Sequence, residues 1–347
     1  MTSERKKAHI DLTFSSRPTN GIGHSYLKEL NYEPLFGTHT DDESILETEF
    51  LGHKLKLPLW VSSMTGGTEM ANKINSNLAQ ACGEFGLGMG LGSCRSLLGS
   101  DNRFSDFDVR EKIAEYPLFT NFGIAQLEEL INVGSLESVL GVNQSLKANG
   151  VIIHVNPLQE WAQPEGDKYQ RPSIETIKTV LDELKCPIIV KEVGQGFGPE
   201  SLRALCELPL AAIELSGFGG TNFTMIEQSR HGSESRHSGT SSGKKEALNT
   251  YVNNFGNLGH TVEDMIGYIN SFDPEVMQCK NFILSGGITD PLQAYVYLQK
   301  INYNAVVGMA SQFLKYSMGD YEVLQNYLDD FKAQFLMAKS FLKLRRP

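Results

Sequence analysis

Several common features are missing from this sequence of 347 residues. No apolar run is long enough to span a bilayer, and the first residues lack the hydrophobic segment of a secretory signal peptide. The five cysteines include no Cys-x-x-Cys pair, so neither a zinc site nor a disulfide framework is indicated. We therefore expect a cytoplasmic protein with free thiols and no membrane partner.

An excess of positive charge is also missing. The formal net charge is −10 at pH 7, which argues against general binding of nucleic acids or anionic membranes. A small anionic ligand remains compatible with this charge, because local basic residues can outweigh the mean. Hydrophobic residues make up 40% of the chain and charged residues 21%, as in a globular enzyme.

Short apolar runs recur along the chain, each followed by a stretch with helical periodicity, and such runs are typical of buried parallel strands. With their loops they occupy 57–63, 86–95, 116–126, 151–155, 187–193, 211–215, 281–288 and 305–311. This repetition predicts an α/β fold, a (β/α)8 TIM barrel. We expect a single TIM-barrel domain over 1–347, with an N-terminal arm and barrel plug over 1–56, a mobile polar insert over 231–260 and a C-terminal helix.

The fourth run carries most of the polar groups. The residues after its apolar start include His154, Asn156, Gln159, Glu160, Gln163, Glu165 and Asp167. Turn-formers at 157, 164 and 166 predict that these side chains lie on a loop rather than a helix. Because an α/β barrel carries its chemistry at the carboxyl ends of its strands, this stretch is the first candidate for an active site.

Other strand ends indicate a bound flavin mononucleotide (FMN). Lys191 lies inside an apolar strand, where an unpaired ammonium is costly, so it needs either a functional anionic partner or a structural ion pair with Glu192 or another carboxylate. Asn121, at the tip of the third strand, can donate to and accept from a flavin ring. Glycine-lined loops after strands seven and eight lie where barrel enzymes seat a cofactor phosphate.

Taken together, these motifs resemble the type 2, flavin-dependent family of isopentenyl-diphosphate delta-isomerases. The matching segments follow the family order: Arg5-Lys6 with His9, Met64-Thr65-Gly66-Gly67, Gly92-Ser93-x-Arg95, Asn121-x-Gly123-x-x-Gln126, His154-x-Asn156-x-x-Gln159-Glu160, Lys191-Glu192-Val193-Gly194, Gly217-x-Gly219-Gly220-Thr221 and Ser285-Gly286-Gly287. Departures at Ala8, Cys94 and Phe218 lie at the rim of the phosphate sites, and we expect them to affect affinity more than reaction type.

The resemblance implies isomerisation of isopentenyl diphosphate to dimethylallyl diphosphate, using reduced FMN and Mg²⁺, with NADPH as reductant, in a homotetramer or homo-octamer. It assigns Gln159, His154 and Lys191 to catalysis and Glu160 to the metal. The implied substrate residues are Arg5, Lys6, His9, Ser93, Arg95, His154, Asn156 and Gln159. The implied FMN residues are Ser63, Met64, Thr65, Ser93, Asn121, Lys191, Ser216, Thr221, Gly286, Gly287, Ile288, Ala310 and Ser311.

Two other functions remain open at this point. An FMN-dependent 2-hydroxy-acid oxidase or dehydrogenase would need a base histidine and a substrate-binding arginine at the end of strand six or seven, and neither residue occurs there. A non-catalytic flavin-binding sensor would not require Gln159, Glu160 and Lys191 together.

Overall fold

The computed structural model describes residues 25–63, 69–99, 103–163, 165–234 and 254–345. The strands are β1 (Leu30–Tyr32), β2 (Thr48–Phe50), β3 (His53–Leu55), β4 (Leu59–Val61), β5 (Gly88–Gly90), β6 (Leu118–Gly123), β7 (Gly150–His154), β8 (Ile188–Lys191), β9 (Ala212–Glu214), β10 (Asn281–Ser285), β11 (Asn304–Met309) and β12 (Leu342–Leu344). Strands β4 to β11 pair in parallel and close into a barrel in the order β10-β11-β4-β5-β6-β7-β8-β9. The predicted TIM barrel is therefore confirmed.

Helices connect the barrel strands and cover the outside of the sheet. They are α1 (Glu69–Phe85), α2 (Arg110–Ile113), α3 (Ile124–Asn132), α4 (Glu137–Ser145), α5 (Pro157–Ala162), α6 (Ser173–Leu184), α7 (Pro199–Cys206), α8 (Phe223–Glu234), α9 (Val262–Ser271), α10 (Pro291–Lys300), α11 (Ser311–Ser317) and α12 (Tyr321–Phe341). Within the described residues, 3-10 turns lie at Ser25–Glu29, Glu43–Leu46, Arg95–Leu97 and Phe104–Asp106. None of the described helices combines the length and hydropathy needed to cross a membrane.

The barrel strands are continuous apolar runs in the sequence because the fold buries both of their faces. Strand β6 is buried along its whole length, and so are β4, β5, β8 and β9, because side chains on both faces are covered. At the amino ends of the strands, the Trp60 ring packs edge-on against Phe50 and Phe119, with ring centroids 6.1 and 5.8 Å apart. These aromatic rings fill the barrel interior below the carboxyl ends.

The segment before the barrel contains a β-hairpin. Strands β2 and β3 pair antiparallel, and Phe50 lies opposite His53 across the turn. The Asn304 side-chain amide, at the start of β11, donates to the Glu49 carbonyl at 3.0 Å. The hairpin therefore packs beside the amino end of a barrel strand, opposite the end that carries the polar loops.

Local assignments differ from the sequence expectation in two places. Residues 157–162 form the short helix α5 rather than a loop, because Pro157 occupies the first helical turn, where its missing N–H is not needed. Residues 124–126 begin helix α3 instead of extending the third strand. In the expected insert, residues 231–234 belong to α8, and residues 235–253 lie outside the described part of the chain.

Candidate active site

A cavity opens at the carboxyl ends of the barrel strands. Its lining comes from the carboxyl ends of β8, β9, β10 and β11 and from the segments that follow β4, β8, β9, β10 and β11. It contains many of the residues expected to hold FMN: Ser63, Lys191, Ser216, Thr221, Gly286, Gly287, Ile288, Ala310 and Ser311. Asn121 and Ser93 are not part of this lining, and Met64 and Thr65 lie outside the described residues.

The loops after β9 and β10 pack backbone against backbone on one side of the cavity. Gly286 has a φ of +127°, and a Cβ there would lie 2.3 Å from the Gly217 carbonyl oxygen. Likewise, a Cβ at Gly220 would lie 2.5 Å from the Gly287 nitrogen. Side chains at these positions would force the loops apart. The loops therefore need glycine, and this backbone surface, which lines the cavity, is suited to an anion such as a phosphate.

Lys191 is the cation of the cavity wall and is only 5% exposed. Its Nζ donates to the Glu192 main-chain carbonyl at 2.9 Å. Among the described residues it forms no ion pair with a carboxylate. The Glu192 carboxylate instead accepts from the main-chain N–H groups of Gly194, Gln195 and Gly196. The alternative of a structural ion pair between Lys191 and Glu192 is therefore wrong, and the ammonium charge remains available to a ligand.

Unused hydrogen-bonding capacity borders the same cavity. Ser62 Oγ, Ser63 Oγ and one carboxylate oxygen of Glu214 are buried without a hydrogen-bond partner among the described residues. Glu214 is fully buried, and its other carboxylate oxygen accepts from Ser285 Oγ at 3.2 Å. Because buried polar groups normally have partners, this excess is typical of a wall that a polar ligand completes. A flavin, with several ring donors and acceptors, fits that wall.

His154 ends β7 beside this wall, in register with Lys191 on β8. Its Nδ1 lies 2.7 Å from Asn121 Oδ1, and the Asn121 amide nitrogen donates to the Leu91 carbonyl at 3.1 Å. Burial, and secondarily the charge of Lys191, lower the pKa of His154 from 6.5 to about 3. The imidazole is therefore neutral at neutral pH without ligand.

Helix α5 carries a hydrogen-bonded cluster centred on Asn156. The Asn156 amide donates to Glu160 Oε1 at 2.7 Å and to Gln159 Oε1 at 3.2 Å. Tyr169 holds Asn156 from the other side: its hydroxyl donates to Asn156 Oδ1 at 2.9 Å and accepts from the Asn156 main-chain N–H at 3.1 Å. The Asp167 N–H completes the cluster by donating to Glu160 Oε2 at 2.9 Å.

Tyr169 is a site residue that the sequence reasoning missed. It follows the polar stretch, in a segment without helical or strand periodicity, so no local pattern marks it. Its burial raises its pKa, which keeps the hydroxyl protonated and able to donate. The tyrosine that organises this cluster lies two residues beyond the polar stretch at 151–167.

Ser93 and Arg95 lie across the mouth of the site. Both side chains are exposed, and Arg95 Nη1 contacts Asp167 Oδ2 at 3.3 Å. An exposed pair of this kind contributes little to stability, so an anionic ligand could take over the guanidinium at small cost. The other expected cations, Arg5, Lys6 and His9, lie outside the described residues.

Comparison with known proteins places the chain among curated relatives. It is 30% identical over 322 residues to the isopentenyl-diphosphate delta-isomerase of Rickettsia prowazekii (strain Madrid E), covering 90% of this chain and 85% of that protein. It is 32% identical over 322 residues to the enzyme of the same name from Rickettsia felis, covering 90% and 84%. No protein-family model matches the chain.

Solved structures with the same fold include mandelate oxidases. A mandelate oxidase mutant with a monooxide FMN adduct superposes with a TM-score of 0.54 at 10% identity, covering 99% of this chain and all of that one (100%). Mandelate oxidase with benzoyl-formic acid gives 0.53 at 11% identity, covering 91% and 82%. At this identity the likeness concerns the barrel fold alone.

Removing the Tyr169 hydroxyl tests whether it holds the Asn156 cluster. We expect Tyr169→Phe to lower the free energy of unfolding by about 1–3 kcal/mol, because Asn156 loses a donor to its carbonyl and an acceptor for its N–H. Tyr32→Phe, at an exposed tyrosine, is the matched control and should change stability by less than about 0.5 kcal/mol. Urea unfolding of the variants measures both. Equal stability of Tyr169→Phe and the unmodified protein would contradict this role.

The neutral His154 predicts a specific dependence of stability on pH. As pH falls below 6.5, histidine 154 of the unfolded chain takes up a proton, whereas the folded protein leaves it neutral down to about pH 3. Acid therefore favours the unfolded state. Between about pH 7 and pH 5 this group alone should cost up to about 2 kcal/mol.

We expect His154→Gln to lose correspondingly less stability over that interval than the unmodified protein. His39→Gln, at an exposed histidine, should track the unmodified protein and serves as control. Denaturant titrations of the ligand-free proteins at both pH values give the comparison. Parallel losses in all three proteins would show that His154 protonates normally in the folded state.

Proposed function

The chain belongs to the isopentenyl-diphosphate delta-isomerase family, and we propose that it converts isopentenyl diphosphate to dimethylallyl diphosphate with reduced FMN and Mg²⁺. The observation that carries this proposal is that two sets of residues lie at the carboxyl end of the same barrel. One set lines the cavity and includes Lys191 and the glycine loops. The other set is the hydrogen-bonded cluster of Asn156, Gln159 and Glu160.

The flavin site is proposed for the cavity lined by Lys191 and the loops after β9, β10 and β11. When bound, reduced FMN would supply an electron-rich ring face that stabilises positive charge developing on the alkene carbon. Lys191 would place its ammonium at the electron-rich edge of the ring, and the glycine loops would bind the phosphate. Ser63, Ser216, Thr221, Ile288, Ala310 and Ser311 complete the proposed set, together with Met64 and Thr65.

Glu160 is the proposed magnesium ligand. Each of its two carboxylate oxygens accepts one hydrogen bond, which leaves lone pairs free for a hard cation. Among the described residues no three His, Cys, Asp or Glu side chains gather around a common point. Magnesium would therefore take its remaining ligands from the substrate diphosphate and from water, as this ion commonly does.

The proposed substrate site lies between the cluster on α5 and the mouth of the barrel. Arg95 and Ser93 are exposed there and would bind the diphosphate, with Arg5, Lys6 and His9 as further proposed contacts. Gln159, held by Asn156, is neutral at all working pH values. It would orient the hydrocarbon end rather than change its own charge.

The reductant, the oligomeric state, the cellular compartment and the type of partner are further parts of the proposal. NADPH as reductant and a homo-oligomer are proposed from the family alone. All five cysteines are free, which supports a reducing compartment such as the cytoplasm. The net charge of −10 supports a small-molecule partner rather than a nucleic acid.

A 2-hydroxy-acid oxidase is the second candidate, since the mandelate oxidases share the fold. Two observations speak against it. The relatives named as isomerases are 30–32% identical, against 10–11% for the oxidases. In addition, the described cavity lining contains neither a histidine nor an arginine that could bind and deprotonate a hydroxy acid.

An anaerobic assay tests the proposal. Protein loaded with FMN, reduced with dithionite and supplied with Mg²⁺ should interconvert the two C5 diphosphates without net consumption of reductant. In Glu160→Gln we expect the Mg²⁺ concentration for half-maximal rate to rise at least about tenfold, because a neutral amide is a poor magnesium ligand. Glu165→Gln, at an exposed carboxylate on the same segment, is the control. Oxidation of lactate or mandelate without isomerisation would support the oxidase instead.

The glycine loops give an independent test of FMN binding. We expect Gly286→Ala to weaken FMN binding at least about tenfold, since the new Cβ meets the Gly217 carbonyl and the backbone angle is strained for alanine. Gly319→Ala, where a Cβ would meet nothing within 4 Å, should leave the dissociation constant unchanged. Flavin fluorescence titration measures both constants. Equal affinities for the two variants would place the phosphate elsewhere.

A further inference from the structure

The contact between Asn121 and His154 determines which imidazole nitrogen carries the proton. Asn121 is 4% exposed, and its amide is enclosed between the Leu91 carbonyl and the His154 ring. A main-chain carbonyl can only accept, so the amide nitrogen must face Leu91. The amide oxygen then faces His154 Nδ1 at 2.7 Å, and because this oxygen can only accept, Nδ1 must carry the hydrogen.

The protonation state of Nε2 follows from that of Nδ1. A neutral imidazole has one N–H, so a hydrogen on Nδ1 leaves Nε2 with a lone pair. Nε2 lies over Gly123, the register partner of His154 on β6, and a Cβ at Gly123 would be only 3.0 Å from it. The missing side chain at Gly123 is what admits the ring. On the other side, Lys191 lies in register on β8, and its charge further disfavours protonation of the ring.

We propose that Asn121 is a positioning residue that locks His154 as the Nδ1–H tautomer, so that Nε2 meets the ligand as a hydrogen-bond acceptor. This inference rests on the proposed function only for the identity of the ligand. The ionised oxygens of a diphosphate only accept hydrogen bonds, so the unprotonated Nε2 cannot bind them directly. Its partner is a donor: a P–OH group of the diphosphate or an ordered water. The ionised oxygens are left to Arg95 and the other cations.

The lock adds a role to the flavin contact expected for Asn121. Its side-chain amide contacts both the Leu91 carbonyl and His154 Nδ1. Through the second contact Asn121 acts on the ligand by way of His154. Such a relay is common where an imidazole must keep one tautomer, because the partner of one nitrogen decides the state of the other.

Nitrogen-15 NMR of histidine-labelled protein tests the tautomer directly and needs neither flavin nor substrate. The chain has eight histidines, and the His154→Gln spectrum identifies the signal of His154 by its loss. At neutral pH we expect a protonated Nδ1 and an unprotonated Nε2, with at least about tenfold excess of this tautomer. A protonated Nε2 in the unmodified protein would overturn the inference.

Variants of Asn121 separate positioning from a general packing role. Asn121→Ala removes the acceptor, and we expect the Nε2–H tautomer to become the major form. Asn121→Asp keeps an acceptor at Nδ1 and should retain the original tautomer. This variant also provides a test if Asn121→Ala fails to fold. Asn75→Ala, which removes another buried amide that donates to a main-chain carbonyl, should leave the His154 signals unchanged. An Nδ1–H tautomer that persists in Asn121→Ala would refute the lock.

Inorganic pyrophosphate tests whether His154 Nε2 contacts the ligand. Its addition to the unmodified protein should shift Nε2 towards a hydrogen-bonded acceptor while Nδ1 stays protonated. An unshifted Nε2 under saturating pyrophosphate would show that the ring does not meet the ligand. The outcomes are separable from the proposed function: an inactive protein with the Nδ1–H tautomer would reject the isomerase, and an active isomerase with Nε2–H would reject only the lock.

Discussion

One row of paired residues across the barrel is the constraint on which the site depends. Gly123, His154, Lys191 and Glu214 are successive register partners on β6, β7, β8 and β9. Register partners on parallel strands point to the same face of a sheet, so this row presents a gap, an imidazole, an ammonium and a carboxylate side by side. A register shift of one residue in any of these strands would move its residue of the row to the opposite face of the sheet.

The chemistry of the row follows from its order. The ammonium lies between the imidazole and the carboxylate, and its charge helps to keep the imidazole neutral. The Lys191 ammonium itself is held by a main-chain carbonyl and not by an ion pair among the described residues. A neutral acceptor next to a cation suits a site that must bind an electron-rich ring and an anionic substrate.

Much of the fold could be predicted because its signals are local. The buried strands coincide with the apolar runs of the sequence, and helices occupy the periodic stretches between them. Helix α5 was missed because two prolines and a glycine suggested turns, whereas Pro157 at the first helical position is compatible with a helix. The contacts of Tyr169 with Asn156 and of Asn121 with His154 could not be predicted. They depend on strand register and chain reversal, which no local pattern encodes.

The central claim is that the substrate lies between a flavin in the Lys191 cavity and the Gln159–Glu160 cluster. A crystal structure of the protein with FMN and isopentenyl diphosphate measures this most directly. The account predicts Lys191 Nζ within hydrogen-bond distance of the flavin ring, with Gln159 and Glu160 on the opposite side of the prenyl diphosphate. A flavin bound away from Lys191, or a substrate remote from Gln159 and Glu160, would contradict it.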